Sequence, residues 1–313
     1  MIGTTGSSGQ QDGQFNSPCG IVYDKKHKRI LVAEEGNNRI QVFNPADGKF
    51  ISKFGTQGNG NGQFQYPRGI CLHPSNNNII VADCNNNRVQ MLNDQFQFVS
   101  MIGNNLLNNP KALDCSSLPP HSIVAADWKN QIHLFSPSSN NNNNNSDYQL
   151  VRSFCSNGSS YNQTNTVYGI CFDDEHKQIV VCDYGNRRLS IWSSDGSQFI
   201  TTVNIPNNQN PCSICMDKYA NHSSNNNNNS VHRMIVGTNS QILVFDARKL
   251  QALQPQQQPQ QQQQGSVLDV IQSIGSPTSG SKAGEFNYVF GVCVDENGYL
   301  WASDHYNHRI QRF

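Results

Sequence analysis

The sequence predicts an all-β fold: a six-bladed β-propeller of four-stranded antiparallel blades, closed by the N-terminal segment. Three observations predict it. A unit of about 40–50 residues recurs six times along the chain. Within each unit, short runs rich in β-branched residues are bounded by Pro, Gly and Asn, which marks antiparallel strands. A lone unit of this kind cannot bury both faces of its sheet, whereas units stacked in a ring do so and leave only short edges.

The stretch from Tyr66 to Leu92 shows the unit most clearly. Gly69 to His73 opens after a Pro-x-Gly turn, Ile79 to Asp83 is an apolar run ending on a carboxylate, and Arg88 to Leu92 alternates after an Asn-rich turn. A further short strand follows. We name the four strands a, b, c and d. The units begin FNSPCGIVYD, FQYPRGICLH, NNPKALDC, TVYGICFD, NPCSICMD and NYVFGVCVD, which places blades at approximately 18–55, 67–103, 110–155, 167–205, 211–275 and 289–313. The sixth unit stops at Phe313, after strand c, so its fourth strand is expected from Met1-Ile2-Gly3, which aligns with Met101-Ile102-Gly103. Low-complexity Asn and Gln tracts at 138–147, 221–230 and 251–265 fall in a–b or c–d connections, all on one face of the disc. Such runs are expected to be disordered.

Composition narrows the function. Lys plus Arg number 22, equal to Asp plus Glu. A neutral chain offers no global attraction to DNA or an anionic membrane. No apolar run approaches the roughly 20 residues that span a bilayer. The N-terminus lacks the basic and apolar regions of a signal peptide, so a cytoplasmic location is expected. The chain has ten cysteines. Cys71, Cys171, Cys215 and Cys293 share one position of strand a, behaving as small buried hydrophobes, so free thiols are expected. Cys212-Ser-Ile-Cys215 has no second pair to complete a zinc site.

The pattern Pro-x-Gly-Ile-x-x-Asp, Ile-x-Val-Ala-Asp, Asn-x-Arg-Ile-Gln-x-Phe and Gly-x-Phe resembles the NHL repeat, most specifically in units one, two, four and six. The resemblance implies a six-bladed propeller that acts as a non-enzymatic interaction module. It implies either substrate recognition for a RING-type ubiquitin ligase, with the RING upstream or on another chain, or single-stranded RNA binding. Some propellers resembling these are metal-dependent lyases or lactonases. No convergent histidines in equivalent inward positions support that here, and neither a cofactor nor a metal is expected.

Two sets of residues stand out. Glu34, Asp83, Asp127, Asp183 and Asp304 end strand b, and Arg39, Arg88, Arg188 and Arg309 open strand c. Each acid is expected to pair with the Arg five residues on, as a partly exposed bridge that fixes the turn. Unit five has lost both partners, with Thr238 and Gln241 in their places; unit three keeps Asp127 but has Gln131, with Lys129 as the expected substitute. Asp24, Asp173, Asp217 and Asp295 end strand a, a series that His73 breaks, and these acids are expected to cap turns. The second set is the partner-binding face formed by the d–a and b–c connections: Arg68, Lys111, Trp128, Lys129, Tyr184, His305 and Tyr306. Aromatics in turns beside Arg and Lys suit a protein hot spot or stacking on single-stranded bases.

Overall fold

The computed structural model describes residues 1–3, 7–138, 147–217, 232–252 and 268–313. The Asn and Gln tracts expected to be disordered lie outside the described residues, apart from their edges. Six four-stranded antiparallel sheets make six blades. In chain order the first strand is β1 (Ile2–Gly3), which belongs to the last blade. Blade one is β2 (Pro18–Asp24), β3 (Arg29–Glu34), β4 (Arg39–Phe43) and β5 (Phe50–Phe54). Blade two is β6 (Pro67–Leu72), β7 (Ile79–Asp83), β8 (Arg88–Leu92) and β9 (Phe98–Ile102). Blade three is β10 (Ala112–Cys115), β11 (Ile123–Ala126), β12 (Ile132–Pro137) and β13 (Tyr148–Phe154). Blade four is β14 (Val167–Asp173), β15 (Gln178–Asp183), β16 (Arg188–Ser193) and β17 (Phe199–Asn204). Blade five is β18 (Pro211–Met216), β19 (Arg233–Thr238), β20 (Gln241–Asp246) and β21 (Val270–Gly275). Blade six is β22 (Val289–Val294), β23 (Leu300–Asp304) and β24 (Arg309–Arg312), completed by β1, with Ile2 opposite Ile310 and Gly3 opposite Arg309.

The core lies between blades rather than within them. Six buried apolar clusters each join two neighbouring blades; Leu31, Ile40 and Val42 of blade one, for example, pack with Ile70, Ile79 and Val81 of blade two. Strand b is buried along almost its whole length in every blade, while the outer β5 alternates between half-buried and exposed. Each blade therefore supplies half of two interfaces and cannot bury its apolar faces alone.

The Pro-x-Gly signature has a geometric cause. Strand a is the innermost edge strand, so a Pro at its start removes no needed ladder donor. A register shift follows it, as between Pro18 and Ile21 or Pro67 and Ile70. The Gly is where the neighbouring strand a passes closest: a Cβ on Gly20 would sit 2.4 Å from the Arg68 carbonyl oxygen, and one on Gly291 2.3 Å from that of Cys19. Among the described residues, no helix is long and apolar enough to cross a membrane, and all ten cysteines are free.

Candidate partner-binding face at the channel mouth

The b–c turns are held by a repeated buried network. Arg39 Nε donates to Glu34 at 2.7 Å, Arg88 to Asp83 at 2.8 Å, Arg188 to Asp183 at 2.7 Å and Arg309 to Asp304 at 2.6 Å. These pairs are not the partly exposed bridges expected from the sequence: all four carboxylates are fully buried. The reason is the d–a loop, which folds over each pair. The remaining Arg donors bond that loop's carbonyls, as Arg88 does to Asn59, Gly60 and Gln63. Each carboxylate also accepts a backbone N–H from the chain entering strand a, at 2.7–2.8 Å. Burial pushes the Glu34, Asp183 and Asp304 carboxyls upward despite the adjacent Arg. The pairs therefore set turn geometry rather than supply large net stability.

In blade three the substitute is His133, not Lys129. His133 Nε2 lies 3.2 Å from Asp127, while Lys129 is exposed. His133 occupies the slot in which Gln41, Gln90 and Gln311 bond their own acids. Blade five replaces the charges with a neutral network: Thr238 donates to Gln209, and Gln209 Nε2 donates to Gln241 at 2.6 Å.

Beyond these turns the strands leave two rings of variable residues around the axis. The inner ring, at the x of Pro-x-Gly, holds Cys19, Arg68, Lys111, Tyr168, Cys212 and Phe290. The outer ring, just after strand b, holds Glu35, Cys84, Trp128, Tyr184, Asn239 and His305. Most inner-ring residues line a central channel with a cavity of about 330 Å³. The rings contact each other around the mouth. Arg68 Nη2 donates to Glu35 at 2.8 Å. Lys111 Nζ sits 3.6 Å from the centre of the Trp128 ring and 4.6 Å from that of Tyr168. Tyr168 meets Tyr184 and Phe290 edge to face, and Phe290 meets His305 likewise. Tyr184 and Tyr288 approach hydroxyl to hydroxyl at 3.2 Å. Cys19 Sγ lies 3.4 Å from Glu35 and 3.5 Å from His305 Nδ1.

The structure thus gathers Arg68, Lys111, Trp128, Tyr184, His305 and Tyr306 at one mouth and leaves Lys129 outward on its turn. Trp128 and Tyr306 are exposed, at 58% and 51%. Lys111 and His305 are buried, at 4% and 5%, and so line the mouth rather than present themselves on the face. Burial, with the nearby Arg68, lowers Lys111 to about 8. Burial also lowers His305 to about 4. Tyr168 and Phe290 escaped the sequence reading because Val replaces Pro in their turns. Alignment on the following Gly would have found both.

On the opposite face Asp24 and Asp173 each accept the backbone N–H three residues on, at 3.2 and 3.3 Å. Each also meets a histidine imidazole, His27 or His176, at 2.9 or 2.7 Å.

Comparison with known proteins agrees with this architecture. The profile of a family described as 6-bladed beta-propeller matches residues 19–164, and that of the NHL repeat matches residues 286–313. A stretch of 50 residues is 46% identical to Protein lin-41 of Caenorhabditis elegans, covering 16% of this chain and 4% of that protein. The chain thus spans a small part of that relative's length. With six four-stranded blades, a shared pattern of turns and these matches, the chain is a six-bladed β-propeller whose last blade matches the NHL repeat.

Proposed function

We propose that this propeller is a non-enzymatic interaction module that captures a partner protein on the face of the d–a and b–c connections, with the channel mouth at its centre. The observation that supports this most is Arg68. Its Nη2 bonds Glu35, but its Nε is buried with no hydrogen-bond partner. A buried donor left unpaired costs about 1–3 kcal/mol. Beside it, the Lys111 ammonium rests against two aromatic rings. A half-buried Arg68 with one donor unpaired and a buried Lys111 against two rings favour an acceptor here, and an acidic side chain of a partner protein supplies one. Exposed Trp128 and Tyr306 around them provide the rigid apolar contact typical of hot spots. In the finer form of this reading, the partner is a substrate brought to a RING-type ubiquitin ligase whose RING lies elsewhere. A second reading, single-stranded RNA, is favoured by the Lys111–Trp128 stack, which suits a base and its phosphate.

The test compares the wild-type chain with Arg68→Ala, Trp128→Ala and Tyr306→Ala. Partners identified by crosslinking are re-measured as purified proteins. The protein reading expects each substitution to weaken binding at least about tenfold, with Lys26→Ala on the opposite face inert. Partners that bind all three variants as tightly as wild type overturn it. Binding of unstructured RNA that falls steeply with salt and is lost with Arg68→Ala transfers the face to RNA. The ligase form further expects the partner's turnover in cells to slow with Arg68→Ala and on depletion of a RING protein.

A further inference from the structure

On the face opposite the mouth, at the junction of blades four and five, five side chains gather. Asp173 ends β14. His176 follows in the a–b turn, with Nδ1 2.7 Å from Asp173 Oδ2. His232 arrives from blade five, with Nε2 3.0 Å from Asp173 Oδ1. Its other nitrogen, Nδ1, lies 3.0 Å from the Glu175 carboxylate. Gln178 stands directly opposite Asp173 in the ladder, so the two side chains project from the same face of the sheet. Gln178 is 6% exposed, and its Oε1 is buried with no hydrogen-bond partner.

Blade one provides an internal control. There Asp24 meets His27 as Asp173 meets His176. But the residue opposite Asp24 is Arg29, whose Nε donates to Asp24 at 2.8 Å. The contact from the next blade is Asn77, at 3.0 Å from Asp24. Blade one thus neutralises its buried acid with a fixed cation. Blade four has exchanged that cation for a neutral amide with an orphaned oxygen, and the neighbouring amide for an imidazole. Turn capping needs neither exchange, because blade one caps without them.

We propose that Asp173, His176 and His232 form a zinc-binding site, with the Gln178 amide oxygen at its edge. The donor set is two imidazole nitrogens, one carboxylate and one oxygen, the borderline chemistry that Zn²⁺ takes. The three principal ligand atoms lie within 4.8 Å of one another. Tetrahedral zinc with bonds near 2.0–2.1 Å sets its ligand atoms about 3.3 Å apart. The present contacts, at 2.7 and 3.0 Å, are bridged by protons, and a metal replaces the bridging protons with an opening of a few tenths of an ångström. Glu175 completes the arrangement. A carboxylate on the far nitrogen of a ligating histidine fixes its tautomer and turns Nε2 toward the metal. The site bolts blade four to blade five and lies away from the channel mouth, so its test is independent of the partner-binding reading.

Metal-free protein is titrated with Zn²⁺ against a chromophoric chelator. One equivalent is expected to bind saturably. Gln178→Arg restores the blade-one arrangement, so it is expected to keep the fold and weaken Zn²⁺ binding about 100-fold; Glu175→Gln weakens it about tenfold, as for outer-shell partners. His232→Asn copies blade one at the other position and is expected to abolish binding; if that variant does not fold, Gln178→Arg decides alone. Co²⁺ in the site gives d–d bands without a thiolate charge-transfer band. No saturable binding at one equivalent, unchanged affinity in Gln178→Arg, or a thiolate band lost with Cys19→Ser would each overturn the proposal. The last outcome would move the metal to the cluster of Cys19, Glu35 and His305 at the mouth.

Discussion

His308 Nδ1 accepts a hydrogen bond from the Ser17 backbone N–H at 3.1 Å, joining blade six to blade one across the seam of the ring. Elsewhere the same bond is made by an Asn side-chain oxygen: Asn38 to Tyr66, Asn87 to Asn109 and Asn130 to Thr166. An imidazole accepts at Nδ1 only when that nitrogen carries no proton. Burial lowers the His308 pKa, with Asp304 pulling the other way.

The first prediction follows from that bond. His73 and His305 are held neutral in the same way, each at about 4, chiefly by burial. For a histidine whose folded pKa is depressed, the unfolded chain binds the proton first. Stability is complete above the unfolded value near 6.5 and is lost as pH falls from there toward about 4. The melting temperature is expected to drop between pH 7 and pH 5. His308→Asn keeps the seam bond without a titrating group and is expected to flatten part of that drop. Equal losses in variant and wild type would remove His308 from the explanation.

A second prediction concerns the buried pairs. Asp83→Asn leaves the Arg88 guanidinium buried beside a neutral amide, and removing one partner of a buried pair costs about 3–5 kcal/mol. Blade five shows that the turn also closes around Thr238 and Gln241. The double change Asp83→Thr with Arg88→Gln is therefore expected to cost less than the sum of the two single changes, by more than about 1 kcal/mol. Denaturant unfolding of the four proteins in the cycle measures the coupling.

Lys111 links stability to the proposed partner face. Its folded pKa of about 8 lies below the ordinary lysine value. Its charge therefore destabilises the fold at every pH below about 8, and the penalty fades as pH rises above that point. Lys111→Met is expected to raise stability at pH 7 by on the order of 1 kcal/mol and to abolish partner binding. A variant that is less stable than wild type at pH 7 would show that the cation is better compensated than its surroundings indicate.

Arg187 offers a simple gain. It closes the b–c turn of blade four at φ 56°, in the left-handed region. The equivalent residues of blades one and two are Asn38 and Asn87, at φ 54° and 55°. Asn tolerates this region better than longer side chains. Arg187→Asn is expected to stabilise by about 0.5–1 kcal/mol, read as a rise in melting temperature.

The repeat count and the bonding of Glu34, Asp83, Asp183 and Asp304 to the Arg five residues on were legible in the primary structure. Alternation, turn residues and short spacings are local properties, and each blade restates them. The depth of burial of those pairs was not legible, because the loop that covers them arrives from the preceding repeat. Lys129 stood near Asp127 in sequence, yet His133 faces it, since the pleat decides which side chains share a side of the sheet. Tyr168 with Phe290, Cys19 with His305, and Asp173 with His232 come from different blades. Their meeting depends on how the disc closes and how neighbouring sheets twist against each other. Local pattern determined what the units are; packing between units, driven by apolar faces that no single blade can cover, decided which of their variable residues touch.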